Sequence, residues 1–307
     1  MGDLVDPLAS MRGYLAAEKA DSTRRAYTGD FAAFSAWCDQ VGEEALPASP
    51  VAAARYFAQL ADSGLKVSTI VRRAAAIRHM HRQAGHEPPT GAEGVKAVLR
   101  GIRRTLGVKP VRKAPATADL LGLVIGRLSG SLSGIRDRAL LLVGFAAALR
   151  RSELVALDVD DVEFRAAGML LDLGKSKTDQ EGKGARIPVA RGLHLRPVDA
   201  LAAWLKASGI AEGPIFREVD RHGNVSEARL SDRSVARIVK RSIKAAGLDE
   251  RAFSGHSLRA GFVTTSLDRK VDTFKIMKTT RHVRVDTLRI YDRRENDFDS
   301  SAGSEFL

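Results

Sequence analysis

Cysteine is almost absent: Cys38 stands alone in 307 residues. It can close no disulfide within the chain, and it cannot anchor a zinc site by itself. Its helix-like surroundings, FAAFSAWCDQ, mark it as a buried structural thiol, with no local support for a nucleophilic role. Long apolar runs are missing too. The longest, ALLLVGFAAAL at 139–149, has eleven residues and suits a buried helix rather than a membrane span. The N-terminus, MGDLVDPLAS, is acidic and lacks the apolar region of a signal peptide, so the expected location is the cytoplasm. No internal repeat and no low-complexity tract interrupts the chain. Tyrosine is scarce, with four in all, and one of them, Tyr291, lies in TTRHVRVDTLRIYDRR near the C-terminus.

What is present is positive charge on a globular composition. Hydrophobic residues make up 44% of the chain, enough for packed cores, and its length accommodates two domains. The net charge is +12. Residues 1–115 carry 17 Lys and Arg against 11 Asp and Glu, so each half of the chain contributes about +6. A duplex gripped from two sides calls for that distribution, although an acidic partner or plain solubility is equally compatible with charge alone.

Periodicity predicts a helical N-terminal region. Tyr27, Phe31, Phe34 and Trp37 share one face of a helix over 22–40, with Ser22 as its cap. Further helices are expected at 50–62, opened by Pro50, at 67–83 and at about 92–105. Arg72, Arg73, Arg78, Arg82, Arg103 and Arg104 lie off the apolar faces and are candidate DNA contacts. GVKPVRKAPATAD has two prolines, three basic residues and no apolar period, and reads as an extended linker. The expected domains are a helical bundle at 1–106, a linker at 107–117 and a second domain at 118–307 with a disordered tail. Within the last, helices are expected at 118–129, 135–149, 197–208, 231–246, 257–268 and 271–281. Strands MLLDL at 169–173 and ARIPVA at 185–190 flank GKSKTDQEGKG, which suits a hairpin connection. The fold class is therefore mostly α with one small β-sheet.

Two motifs are misleading. GMLLDLGKS resembles a phosphate-binding P-loop, but five residues separate its glycines where four are required, and they read as strand. HMHRQAGH offers His79, His81 and His86, yet positions i and i+2 on a helix point to different sides. No suitably spaced carboxylate or cysteine is nearby, so surface or DNA-facing histidines are expected rather than a metal site.

Metal-free cleavage of a phosphodiester needs an activated nucleophile, fixed cations on the non-bridging oxygens and a proton for the leaving oxygen. Arginine matches phosphate bidentately where lysine does not. AAALRRSELVAL places Arg150 at the end of a buried helix, with Glu153 three residues on to orient an arginine. GKSKT offers Lys177 on a mobile hairpin. SGHSLRAGF sets His256 and Arg259 on one face of a helix start. RHVRVDTLRIY adds His282 and Tyr291.

This arrangement resembles the tyrosine recombinase (phage integrase) family. The family's first box, an Arg followed by a small residue and Glu-Leu, is similar to LRRSEL; its His-x-x-Arg box is similar to HSLR. Its third box, a His with a Tyr nine residues later, matches His282 and Tyr291. The motifs span roughly 118–292, and STRRAYTGDFAAFSAWC at 22–38 is a weaker likeness to the family's core-binding helices.

The resemblance implies a tyrosine recombinase catalytic fold and a site-specific recombinase that needs no metal or other cofactor. Tyr291 would form a 3′-phosphotyrosyl link. Arg150 and Arg259 would hold the non-bridging oxygens, and Lys177 would protonate the 5′-oxygen, with Lys175 and Lys183 as other candidates on that hairpin. His256 would assist proton transfer, His282 would donate to a phosphate oxygen, and Glu153 would support. Lys113 and Lys175 join the arginines above as DNA contacts. The implied partner is double-stranded DNA with an inverted-repeat core site, bound by a homodimer on each site and a homotetramer in synapsis, with no membrane. A type IB topoisomerase and a non-catalytic DNA-binding regulator are the alternatives. Two positions depart from the family's pattern: its usual glycines are Ala148 and Arg281 here, the latter altering local packing or adding a phosphate contact. Arg151 is also unusual; a surface ion pair is its simplest role.

Overall fold

The computed structural model describes residues 18–107, 112–174, 184–289 and 291. The chain divides between residues 111 and 112 into two compact units.

The first unit is built from helices α1 (Asp21–Val41), α2 (Pro50–Asp62), α3 (Val67–Gln83) and α4 (Glu93–Leu106). Helix α1 begins one residue ahead of Ser22, which lies in its first turn and is not its cap. Helix α2 is capped by Ser49, whose hydroxyl accepts from the Ala52 amide at 3.0 Å, with Pro50 at the first helical position where its missing N–H costs nothing. The predicted aromatic face of α1 is the one that packs: Phe34 and Trp37 meet Tyr56 of α2 at ring separations of 5.0 and 5.2 Å. Phe57, Ile70 and Ile77 complete the centre of this core. Cys38 is buried in it, and burial pushes its thiol up to about 11, which keeps it protonated and inert.

His81 was expected at the surface and is instead fully buried. Its Nδ1 donates to the Ile77 carbonyl at 2.8 Å and its Nε2 accepts from the Ala48 amide at 2.9 Å. The imidazole serves here as a neutral bracket between α3 and the segment before α2. Helical spacing put His79 and His81 on different sides but could not say which side faces inward. Among the described residues, no cluster of His, Cys, Asp and Glu could hold a metal ion.

The second unit starts with an extended segment. Ala114 and Ala116 donate backbone hydrogen bonds to the carbonyls of Ala252 and Ser257, so residues 112–117 of the expected linker belong to this unit. Helices α5 (Ala118–Gly126) and α6 (Leu132–Ala146) follow, then α7 (Arg151–Ala156). Strands β1 (Val162–Arg165), β2 (Gly168–Leu173) and β3 (Ala185–Ala190) form an antiparallel meander, with Val162 opposite Leu171 and Leu171 opposite Ile187. Helix α8 (Pro197–Ser208) packs on α6, and its Trp204 is fully buried, donating to the Ile215 carbonyl at 2.8 Å. A second sheet, β4 (Arg217–Val219) with β5 (Val225–Arg229), was not expected from sequence. Its strands are short, charged and half-exposed, so they show little apolar alternation. Helices α9 (Asp232–Ala245), α10 (Ser257–Asp268), α11 (Thr273–Thr280) and α12 (Asp286–Arg289) complete the unit.

The close approach of α10 to the entering strand depends on Gly261. A Cβ there would lie 1.8 Å from the Ala116 carbonyl oxygen, so any other residue would force the two apart. This contact fixes the start of α10, from which two site residues project. Among the described residues no helix is long and apolar enough to cross a membrane.

Burial pushes the His81 imidazole below its ordinary value, despite the opposing bond to Ile77. The unfolded chain binds that proton near pH 6.5 and the folded chain does not. The stability this contributes is fully present above about pH 6.5 and drains away as the pH falls toward and through the depressed folded value. Urea melts from pH 8 to pH 5 should show this loss, and His81→Gln should flatten it while lowering stability at pH 8.

Candidate active site

Sequence placed Arg150 at the end of a buried helix, and the chain does something different there. Helix α6 stops at Ala146, and Ala148 takes a left-handed conformation with φ +48°. The Ala148 amide donates to Phe145 and the Leu149 amide to Gly144, the paired bonds of a Schellman termination in which glycine is the usual left-handed residue. Arg150 then sits extended as the N-cap of α7. The apolar run gave no sign of the break, because a left-handed alanine keeps the hydropathy of a helical one. The break has a use: it frees the Ala148 carbonyl from the helical ladder.

That carbonyl accepts from Nη1 of Arg259 at 2.7 Å. Arg259 projects from the first turn of α10 and is only 1% exposed. Its Nη2 donates to the Thr280 carbonyl at the end of α11. Helix α11 also terminates left-handed: Arg281 has φ +57°, and its amide bonds back to Met277. One guanidinium thus joins the carbonyl ends of two helices, where the helix dipoles favour a cation. Burial first, then Arg150 and Arg281, push its guanidinium down to about 10, so it remains charged at neutral pH.

His282 packs beside it, with Nε2 3.2 Å from Arg259 Nη2 and Nδ1 2.8 Å from the Thr280 hydroxyl. The tautomer follows from the partners. Thr280 Oγ1 spends its proton on the Ile276 carbonyl at 2.8 Å, so it accepts from His282 Nδ1–H. Nε2 is left as the acceptor for Arg259. Burial, reinforced by Arg259 and Arg150, pushes His282 down to about 4, so it is neutral.

Tyr291 comes from the same chain. Its ring packs against a small cluster of Val263, Ile276 and Leu288. Its hydroxyl lies 3.3 Å from Nε2 of His256, at the N-terminus of α10. Burial, then Arg259, Arg150 and Arg151, hold His256 below its ordinary value, leaving a neutral ring able to accept a proton.

Glu153, from the first turn of α7, is buried beneath these groups. Its Oε1 accepts from Arg150 Nη1 at 2.6 Å; its Oε2 accepts from the Arg150 amide at 2.8 Å and from Arg281 Nη2 at 2.6 Å. Burial opposes its charge, but Arg281 and then the Arg150 contacts outweigh burial and hold the carboxyl below its usual range. Arg150, Arg259 and Arg281 therefore converge with a single carboxylate among them. The excess positive charge, rigidly held, suits an anion such as a phosphodiester.

Arg150, Glu153, His256, Arg259, His282 and Tyr291, six residues singled out from sequence, are thereby assembled. Lys177, Lys175 and Lys183 lie outside the described residues. Arg151 runs its side chain beneath Gly255, where a Cβ would lie 2.2 Å from its Cδ, and reaches Asp232 at 3.6 Å. Sequence reasoning missed the Ala148 carbonyl and Thr280, which no motif marks. The separated arginines behave differently. Arg72, Arg82, Arg103 and Arg104 are exposed, although Arg72 contacts Asp30 at 3.1 Å; Arg78 is exposed and reaches Thr90 at 3.2 Å. Arg73 turns inward to the Tyr56 hydroxyl at 2.7 Å, and Lys113 bonds the Arg251 carbonyl at 2.5 Å.

The phage integrase family model matches residues 124–297, and the phage integrase N-terminal SAM-like domain model matches residues 12–87. An integrase/recombinase xerD homolog from Selenomonas ruminantium is 40% identical over 291 residues, 92% of this chain and 85% of that protein. A tyrosine recombinase of Synechococcus elongatus is 34% identical over 296 residues, 91% of this chain and 87% of that one. The Tn1549 transposon integrase in complex with transposon right end DNA has a TM-score of 0.63 at 16% identity, covering 92% of each chain. A lambda integrase dimer bound to a COC' core site has a TM-score of 0.62 at 18% identity, covering 94% of this chain and 95% of that one. At such identities the likeness is one of fold.

In the DNA-free chain, NMR of the His282 ring should find it neutral at pH 7 with the proton on Nδ1, titrating only near pH 4. Removing the Thr280 hydroxyl (Thr280→Val) should scramble the tautomer, read from the ring nitrogen shifts.

Proposed function

The chain belongs to the phage integrase family and is a tyrosine recombinase, and we propose how its own residues cut and rejoin DNA. Tyr291 attacks the scissile phosphate, its phenolic oxygen forms the new P–O bond, and the 5′-oxygen leaves. The products are a 3′-phosphotyrosyl link and a free 5′-hydroxyl. The phosphodiester's energy is retained, so rejoining to another strand needs neither nucleotide nor metal. The observation that carries this reading is the 3.3 Å approach of the Tyr291 hydroxyl to neutral His256, beside the buried Arg259.

Each residue has a share in the barrier. A phenol of ordinary pKa near 10 costs about 4 kcal/mol to ionise at pH 7. His256 Nε2 takes the phenol proton as the P–O bond forms, so free phenolate need never accumulate. Arg150 and Arg259 neutralise the two non-bridging oxygens as charge builds on the pentacoordinate phosphorus. His282 orients Arg259. Because its Nδ1 is committed to Thr280, it donates to phosphate only once Nε2 is protonated, which an entering anion favours. Lys177 remains the proposed proton donor to the 5′-oxygen, with Lys175 as the other candidate. Glu153 is support.

The substrate proposed is double-stranded DNA carrying an inverted-repeat core site, with two protomers per site and four in synapsis. The dimer has support in the lambda integrase dimer on its core site. Arg72, Arg78, Arg82, Arg103 and Arg104 are proposed phosphate contacts, and Lys113 a further one. Arg73 is better accounted for by its hydrogen bond to Tyr56 and its 3.8 Å ion pair with Asp30. The topoisomerase and binding-only readings have no support among relatives named as recombinases.

A site selected from random duplexes, nicked to trap the intermediate, should leave wild-type protein covalently attached and Tyr291→Phe unattached but bound. Arg150→Ala should bind within a few-fold of wild type and cleave about a hundred- to a thousand-fold more slowly; equal loss of binding and cleavage would make Arg150 merely structural. Log affinity should fall linearly with log salt, and each phosphate-contacting arginine changed to Ala should reduce the slope by about one.

A further inference from the structure

Arg281 is an expensive residue where it stands. Its φ of +57° is a conformation that glycine adopts freely and a side chain does not. Its Nε and Nη1 are buried without a hydrogen-bond partner. A buried donor left unpaired is a cost, and so is a partly buried guanidinium. Its side chain is 13% exposed, so water offsets little of this. The evident return is one ion pair, Nη2 to Glu153 Oε2 at 2.6 Å. Local costs of this kind persist where the surrounding structure enforces them, and they concentrate at functional sites.

That ion pair changes the charge that Arg150 offers. Glu153 is the carboxylate bonded to Arg150 at 2.6 Å. Alone, the two would form a neutral pair, and Arg150 would bring little net charge to a phosphate. Arg281 draws the same carboxylate from its other oxygen, so one negative charge is divided between two guanidinium groups. The bond to Oε2 also fixes the plane of the carboxylate, and with it the direction of Arg150 Nη1.

We propose that Arg281 is a positioning residue for the recombination reaction: through Glu153 it both orients Arg150 and keeps that guanidinium's charge available to the scissile phosphate. This rests on the proposed role of Arg150 as a phosphate ligand. The effect is concentrated in the transition state, where the phosphate gains charge, and is small in the initial complex, which is held by many phosphates along the duplex. It also carries a signature that no packing role would give. If Glu153 over-neutralises Arg150 when Arg281 is absent, removing the charge of Glu153 should return activity.

The test combines Arg281→Gly, which relieves the left-handed backbone, with Glu153→Gln. Three quantities are read on the full chain: affinity for a selected duplex, single-turnover cleavage of its nicked form at saturating protein, and the melting temperature. Arg281→Gly should bind within about threefold of wild type yet cleave about tenfold or more slowly. Adding Glu153→Gln should bring cleavage back to within about threefold of Glu153→Gln alone, a strongly non-additive cycle. Arg281→Asn, which also tolerates the left-handed backbone, repeats the measurement should the glycine variant melt early. Wild-type cleavage by both Arg281 variants, parallel loss of binding and cleavage, or an undiminished loss in the Glu153→Gln background would each overturn the proposal. A wild-type chain that never becomes attached to DNA would overturn the phosphotyrosyl reading itself, and this proposal with it.

Discussion

The second unit is organised around one buried guanidinium. Arg259 joins the Ala148 carbonyl at the end of α6 to the Thr280 carbonyl at the end of α11, and it does so from the first turn of α10. Three helices are thereby fixed relative to one another at the point where the proposed reacting groups emerge. Its hydrogen bonds go to neutral carbonyls and to a neutral imidazole, and its charge is left over. A buried cation in that condition costs stability, since several kcal/mol of lost hydration are only partly returned by dipoles. The same deficit makes it a strong ligand for an anion. Stability is given up locally for a site whose leftover charge suits an anion.

Both carbonyls are available because both helices end left-handed. Ala148 and Arg281 adopt positive φ without being glycine, and each termination turns the chain straight into a segment of the proposed site: Arg150 after the first, His282 after the second. Backbone geometry and the geometry of the proposed site are therefore one constraint. The histidines obey the same electrostatics. Partly desolvated and surrounded by arginines, His256 and His282 are both held below their ordinary values and stay neutral. One ring can then accept a proton from Tyr291 while the other steadies Arg259.

Legibility from sequence followed the strength of the apolar period. Helices α2, α3 and α8 begin and end where hydropathy places them, because each buries one face, whereas α10 keeps its expected bounds although it is buried nearly all round. Strand β3 was equally plain, with Ile187 and Val189 buried and their neighbours exposed. Strand β1 and the β4–β5 hairpin were not, since VEFR, REV and VSEAR are half-exposed and charged, and their pairing is set by partners distant in sequence. The meaning of the three His in HMHRQAGH was also invisible: burial of His81 depends on the Ala48 amide, 33 positions earlier.

The sequence by itself determined the residue types that phosphodiester chemistry requires, their order and their spacing, along with two basic halves and a helical fold. Those follow from local rules: periodicity, capping and the chemistry of side chains. Tertiary structure alone decided that Arg150 stands in a break between helices, that His282 carries its proton on Nδ1, and that Glu153 is divided between Arg150 and Arg281, which lie 131 positions apart. Those are properties of distance and desolvation between segments remote in the chain, and no local pattern encodes them.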